Sequence, residues 1–303
     1  MISYETTWTT SLEGLEVRMI ATPQGPIEVA HAGQGPAVLM IHGIPGSWRQ
    51  IVPLAEDLAS EFKVVLISRP GYGNTPLSTG KSAAEQADAY ASVTEALGID
   101  RIAVIGVSGG GPSAAAFAER HSSRTSSLIL ACALTAHLLT VPKQMRLILS
   151  VPFLGEITSL LTRRVGRRRL KDPMAVAQAI RKNLTEDEKS RLDEDSQIAA
   201  DLVRFALSHL DAPPGITGYR NDIAQINRVR ATRIPEFTTA ACPTLILHGS
   251  SDETVPLEHP RFYATAIPGA ELVVYEKAGH LFLFTRREET TPQIAKFIAT
   301  HAG

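Results

Sequence analysis

A chain of 303 residues is long for one compact unit, so the length allows one large domain with an insertion or two domains. Hydrophobic residues at 44% and charged residues at 20% exclude a disordered or fibrous chain. Thirty Lys plus Arg balance 31 Asp plus Glu, which excludes the strong basic footprint expected for nucleic acid or an anionic membrane and points to a small-molecule partner recognised by shape.

In chain order, "VRMIATPQGPIEVAHAG" (17–33) predicts two short strands around a Pro-Gln-Gly-Pro turn, and "AVLMIHG" (37–43) is the continuous apolar run of a strand covered on both faces. "WRQIVPLAEDLASEF" (48–62) places Ile51, Leu54, Ala55 and Leu58 on one helical face. "KVVLIS" is again a buried strand, followed by the turn-rich "RPGYGNTPLSTG" (69–80). Ser82 with Glu85 three residues on forms a capping box for a helix that Gly98 can stop. "RIAVIGVS", "GGPSAAAFAERH" and "SLILACAL" then continue as strand, helix and strand.

From about residue 135 the rhythm breaks. "KQMRLILSVPFLG", "MAVAQAIRKN", "SQIAADLVRFALSHL" and "TGYRNDIAQINRVR" are helical in pattern and lack strand partners, whereas "PTLILHG" and "AELVVYEKAGH" resume the strands. The expected fold is α/β: a mostly parallel central sheet with helices on both faces, because right-handed crossovers need covering segments of this length. Residues 1–134 and 241–303 are expected to form the core and 135–240 a helical cap inserted into it.

The start, "MISYETTWTTSLEG", lacks the basic and apolar regions of a signal peptide, and no apolar run reaches membrane-spanning length. Cys132 and Cys242, in or beside strand-like runs, are too few for a disulfide framework. A cytoplasmic location is the expectation.

In "GVSGG" (106–110) a serine lies where a strand must turn abruptly into a helix. Small neighbours are needed there, and the bend lifts the serine oxygen above the sheet edge beside the helix N-terminus. A glycine-rich turn cradling a phosphate has the same short pattern. A nucleophilic serine also needs a base held in the right tautomer. "TLILHGSSDETVP" carries Asp252 and "LVVYEKAGHLFLF" carries His280, each after a strand end, the edge where open parallel sheets bind ligands. Alone, either residue suits an ordinary loop, and Glu253 and Asp222 are rival acids. The order nucleophile, acid, histidine makes Ser108, Asp252 and His280 the candidate triad.

Four motifs in order, "HGIPGS", "SRPGYG", "GVSGGG" and "HGSSDETVP" followed by "AGH", resemble those of the α/β-hydrolase superfamily, of the capped, esterase-like kind. The resemblance implies Ser108 as nucleophile, Asp252 as acid and His280 as base. It also implies an oxyanion hole built from the backbone N–H groups of Ile44 and Gly109, with the Ile44 side chain facing the acyl pocket. Val107, Leu138, Phe153 and Leu281 are the candidate pocket residues, with Leu139 and Leu154 beside them in the cap; packing of an amphipathic helix accounts for the cap residues equally well.

Two departures stand out: the oxyanion loop is not the HGGG form, and Ser68 stands where relatives often carry Asp. A serine nucleophile argues against haloalkane dehalogenase and epoxide hydrolase chemistry, which run through an ester on a carboxylate. Hydrolysis of an ester or lactone of a largely apolar molecule is the expectation; amide, peptide, thioester or carbon–carbon cleavage uses the same parts, and a small-molecule receptor can retain the triad. The basic run "RRVGRRR" (163–169) suits a solvated cap face, and His42 and His248 suit hydrogen-bonded supports, with no zinc-like spacing around them. "GQG" (33–35) is a turn without a dinucleotide fingerprint, so neither metal nor cofactor is expected.

Overall fold

The computed structural model describes residues 11–136, 138, 173–211, 216–232 and 239–302. Eight strands form one sheet: β1 (Glu16–Ile20), β2 (Ile27–Ala32), β3 (Ala37–Ile41), β4 (Lys63–Ile67), β5 (Ile102–Val107), β6 (Thr125–Ala131), β7 (Thr244–Gly249) and β8 (Glu271–Tyr275). Their order is β1-β2-β4-β3-β5-β6-β7-β8. Only β2 runs against its neighbours, β1 and β4; every other pair is parallel.

The central strands are apolar on both faces because both are covered. Alternate side chains divide between two cores, as the two-residue period of a strand requires. Leu39, Ile41 and Val104 join one core with Ala87, Tyr90 and Val93 of helix α2 (Ala83–Ala96) and Ala114 to Ala118 of α3 (Gly111–Arg120). Val38, Met40 and Ile105 join the other with Leu54, Ala55 and Leu58 of α1 (Val52–Leu58) and Ile294, Phe297 and Ile298 of the C-terminal helix. The Ser82–Glu85 capping box is present, and Gly98 takes a φ of 66° just past the end of α2.

Between β6 and β7 the described residues are helical: α4 (Pro173–Arg181), α5 (Glu186–Glu194), α6 (Ser196–Asp211) and α7 (Thr217–Thr232). Three of these match the periodic runs of the sequence. The polar α5, "EDEKSRLDE", was not anticipated, and it starts at a Thr185–Glu188 capping box. The expected helix over 143–155, with Phe153 and Leu154, lies outside the described residues, as do Leu139 and the basic run 163–169. Beyond β7 come α8 (Glu258–Ala266), α9 (Phe282–Thr285) and α10 (Arg287–His301).

The insertion grips the core at several points. Val176, Ile180, Ile198 and Leu202 pack with Phe284 of α9. Arg204 of α6 pairs with Glu56 and Asp201, and Arg287 with Asp57 and Asp201. At the far end Gly218 N–H donates to Gly71 O at 3.0 Å. A Cβ on Gly71 would sit 2.6 Å from Gly218 Cα, so the close approach needs glycine.

Candidate active site

Ser108 follows β5 and adopts a φ of 50°, a conformation that costs a non-glycine residue on the order of 1–3 kcal/mol. The neighbouring glycines make the bend possible. A Cβ on Gly106 would lie 2.5 Å from Ala114 Cβ, and one on Gly110 would overlap Ile41 O. Leu134 N–H donates to Ser108 O at 3.1 Å and ties the elbow to the end of β6.

Asp252 and His280 converge on this serine. His280 Nδ1 is 2.7 Å from Asp252 Oδ2, and its Nε2 is 3.1 Å from Ser108 Oγ. A carboxylate only accepts, so Nδ1 carries the proton and Nε2 is left to accept from the serine. The second carboxylate oxygen, Asp252 Oδ1, accepts the N–H groups of Thr254 (2.9 Å) and Val255 (2.8 Å). Both Asp252 oxygens are thereby fixed in a buried position. Glu253 is exposed, and Asp222 lies elsewhere, bonded to Arg69 and Tyr72.

The acid and base loops hold one another. Ser251 N–H donates to Ala278 O and Lys277 N–H to Ser250 Oγ; a Cβ on Gly249 would overlap Ala278 O. His248 donates from Nε2 to Val255 O at 2.7 Å, and burial pulls its pKa below 6.5, so it stays neutral near Asp252. The helical insertion also reaches this loop. Thr185 Oγ1 donates to Lys277 O at 2.7 Å, Glu188 Oε1 accepts from Thr285 Oγ1 at 3.1 Å, and a Cβ on Gly279 would lie 2.7 Å from Glu188 Oε2. One capping box at the start of α5 thus holds the chain on both sides of His280.

On the opposite side, "HGIPG" runs from β3 past the elbow. A Cβ on Gly109 would overlap Ile44 Cγ1, which puts the two expected oxyanion donors in adjoining residues. His42 fixes the peptide between Gly43 and Ile44. Its Nδ1–H donates to Gly43 O (2.8 Å), while its Nε2 accepts Arg69 N–H (2.9 Å). Gln50 does the rest, accepting Gly43 N–H at 2.6 Å and donating to Pro45 O at 2.8 Å. Sequence reasoning missed Gln50; an amide inside an amphipathic helix pattern gives no signal of its partners.

The Ser68 departure has a physical account. Ser68 Oγ donates to Glu28 Oε2 at 2.7 Å, and Asn74 donates its N–H and Nδ2–H to the same carboxylate. Glu28, from β2, supplies the buried carboxylate to the turn that position 68 does not.

Beside Ser108 and His280 lies a cavity of about 110 Å³, lined by Val107, Leu281, Leu54, Leu283, Phe205 and Phe284. Leu138 is 38% exposed, and its N–H donates to Thr135 O at 3.3 Å. Among the described residues no group of His, Cys, Asp and Glu is arranged to hold a metal ion, and no helix is long and apolar enough to cross a membrane. Cys132 and Cys242 are buried free thiols.

A sequence model of the alpha/beta hydrolase fold matches residues 36–286. The chain belongs to the α/β-hydrolase fold family. That membership gives the coarse activity, hydrolysis. Among this α/β-hydrolase's relatives, a 2-hydroxy-6-oxononadienedioate/2-hydroxy-6-oxononatrienedioate hydrolase of Dechloromonas aromatica is 30% identical over 277 residues, covering 87% of this chain and 86% of that one. An alpha/beta hydrolase fold protein from Nakamurella multipartita superposes with a TM-score of 0.74 at 27% identity, covering 95% of this chain and all of the other. A thermophilic esterase from Thermogutta terrifontis does so with a TM-score of 0.66 at 25% identity, again over 95% of this chain and 100% of that one.

Proposed function

We propose that the protein is a serine hydrolase that cleaves a carboxylic ester or lactone through an acyl-enzyme. The observation that carries this reading is the continuous hydrogen-bonded line from Asp252 through His280 to Ser108 Oγ. His280 Nε2 takes the hydroxyl proton as Ser108 Oγ bonds to the substrate carbonyl carbon. The carbonyl oxygen becomes an anion held by the N–H groups of Ile44 and Gly109, an arrangement in which one donor contributes about 10²–10³ in rate. His280 then gives its proton to the leaving alkoxide as the carbon–oxygen bond breaks. Water, deprotonated by the same imidazole, attacks the acyl-enzyme and frees the acid. The helices of the insertion, seated over the triad through α5 and Phe284, act as the cap that excludes bulk water.

The apolar lining of the small cavity and the likeness to the Thermogutta esterase support the ester reading. The Dechloromonas relative favours a second one, carbon–carbon cleavage on the same triad. A panel of short acyl esters, lactones, amides and a 2-hydroxy-6-oxo-dienoate, run with wild type and Ser108→Ala, separates them. Ester turnover that disappears in Ser108→Ala, with an organophosphonate labelling Ser108, is expected. Turnover of the dienoate alone transfers the assignment to carbon–carbon hydrolysis, and labelling of another serine with loss of activity removes Ser108 from its role.

A further inference from the structure

A second cavity, of about 470 Å³, meets the first at the oxyanion loop: Ile44 lines both, and Gly109, the residue after Ser108, lines the larger. The two differ in size and chemistry. Typical ligand pockets run to roughly 300–1,000 Å³, so the 110 Å³ space at Ser108 and His280 admits only a short group, whereas the larger one admits a chain. His280 lines only the smaller space. Because His280 must protonate the leaving oxygen, the alcohol belongs on that side. The acyl chain is therefore left to run past Ile44 and Gly109 into the larger cavity.

The charges lining that cavity are Arg69, Lys81, Glu85, Asp222 and Arg228. Asp222 is consumed by Arg69, whose Nη2 lies 2.7 Å from Asp222 Oδ1, and by Tyr72. Glu85 is consumed by the start of α2, where its Oε2 accepts the N–H groups of Lys81 and Ser82, bonds that pull its pKa below the usual carboxylate value. Lys81 and Arg228 form no ion pair among the described residues. Lys81 is held in place from the insertion, since Asn221 Nδ2 donates to Lys81 O at 2.7 Å. Leu134, Ile226 and Val229 supply an apolar wall.

We infer that the larger cavity is an acyl compartment for a chain with an anionic end, and that the natural substrate is a short-alcohol ester of an acid carrying a second, distal negative charge, such as a half-ester of a dicarboxylic acid. The carboxylate meets Lys81 and Arg228 while the apolar chain lies on the wall. The inference rests on the ester reading above and adds the substrate class.

The test compares kcat/KM for monoethyl adipate and ethyl hexanoate, with ethyl acetate as a probe of the triad. Wild type is expected to favour the half-ester, and the ratio is expected to fall on the order of tenfold in Lys81→Ala/Arg228→Ala, through KM and not kcat, and to shrink with added salt. Lys81→Glu/Arg228→Glu is expected to invert the preference. Both positions are exposed, and thermal unfolding verifies that the variants are folded. Equal use of the two longer esters, or a ratio indifferent to both double variants, overturns the anionic compartment while Ser108-dependent turnover of ethyl acetate leaves the ester reading standing. Loss of ester turnover altogether, with Ser108 unlabelled by phosphonate, overturns the ester reading and this inference with it.

Discussion

Two aspartates in this protein are equally buried, each 6% exposed, yet they sit in opposite surroundings. Asp252 faces two backbone N–H groups and the imidazoles of His280 and His248. Asp222 faces the permanent cation of Arg69 and the Tyr72 hydroxyl. Around Asp222, burial raises the pKa against the opposing pull of Arg69, and burial keeps the Tyr72 hydroxyl well above its ordinary value. No partner there exchanges a proton near neutral pH. Around Asp252 the partner is an imidazole that, in the proposed mechanism, gains and loses one. Similar burial then accompanies a structural tie in one place and the proposed proton-handling site in the other, and the partner's chemistry distinguishes them.

Removing each carboxylate is the direct way to break this comparison. Asp252→Asn keeps the size but favours the wrong His280 tautomer, so kcat on a good ester is expected to fall by about a thousandfold or more with thermal unfolding near that of wild type. Asp222→Ala is expected to do the reverse: chemical denaturation loses roughly 3–5 kcal/mol, because Arg69 is left buried without its partner, while kcat of the folded protein changes by less than about tenfold. Exchange of these two outcomes would reverse the assignment of roles.

Smaller effects sharpen it. Gln50→Leu strands the Gly43 N–H, a loss of about 1–3 kcal/mol, and is expected to lower kcat about tenfold or more with little change in KM, as removal of an oxyanion-loop support should. The pH dependence of stability should also follow the Asp252 side. His248 has its folded pKa lowered by burial, so below its ordinary value of 6.5 the unfolded chain binds a proton that the folded chain refuses. Stability is expected to fall as pH drops through that value, and the slope is expected to persist in Asp222→Asn. The smallest effect belongs to Glu253→Gln. Exposed beside Asp252, that carboxylate is expected to cost less than about tenfold in kcat when neutralised.

The convergence of Ser108, Asp252 and His280 was legible because each follows a strand in a short local motif, and local motifs survive in sequence. The choice among Asp252, Glu253 and Asp222 was less so. Asp222 is 153 residues from Arg69, and only the folded chain brings the two together. The same holds for Glu28, which answers the missing acid at position 68 from 40 residues away. Helix α5 escaped notice because its inward contacts are polar: Glu188 is fully buried on hydrogen bonds, which leaves no apolar stripe to read.

The hold of Thr185 and Glu188 on the chain flanking His280 bears on how such proteins diversify. Insertions of this kind are the natural currency of new specificity, since a different roof offers a different substrate volume above unchanged chemistry. Here the roof is not freely interchangeable. A chimera that receives another relative's insertion without an equivalent of Thr185 and Glu188 inherits a histidine loop with Lys277 O and Thr285 Oγ1 released, and its turnover number suffers before its selectivity is even sampled. Substitutions in α7, at the far seam where Gly218 meets Gly71, leave the Thr185 and Glu188 contacts in place.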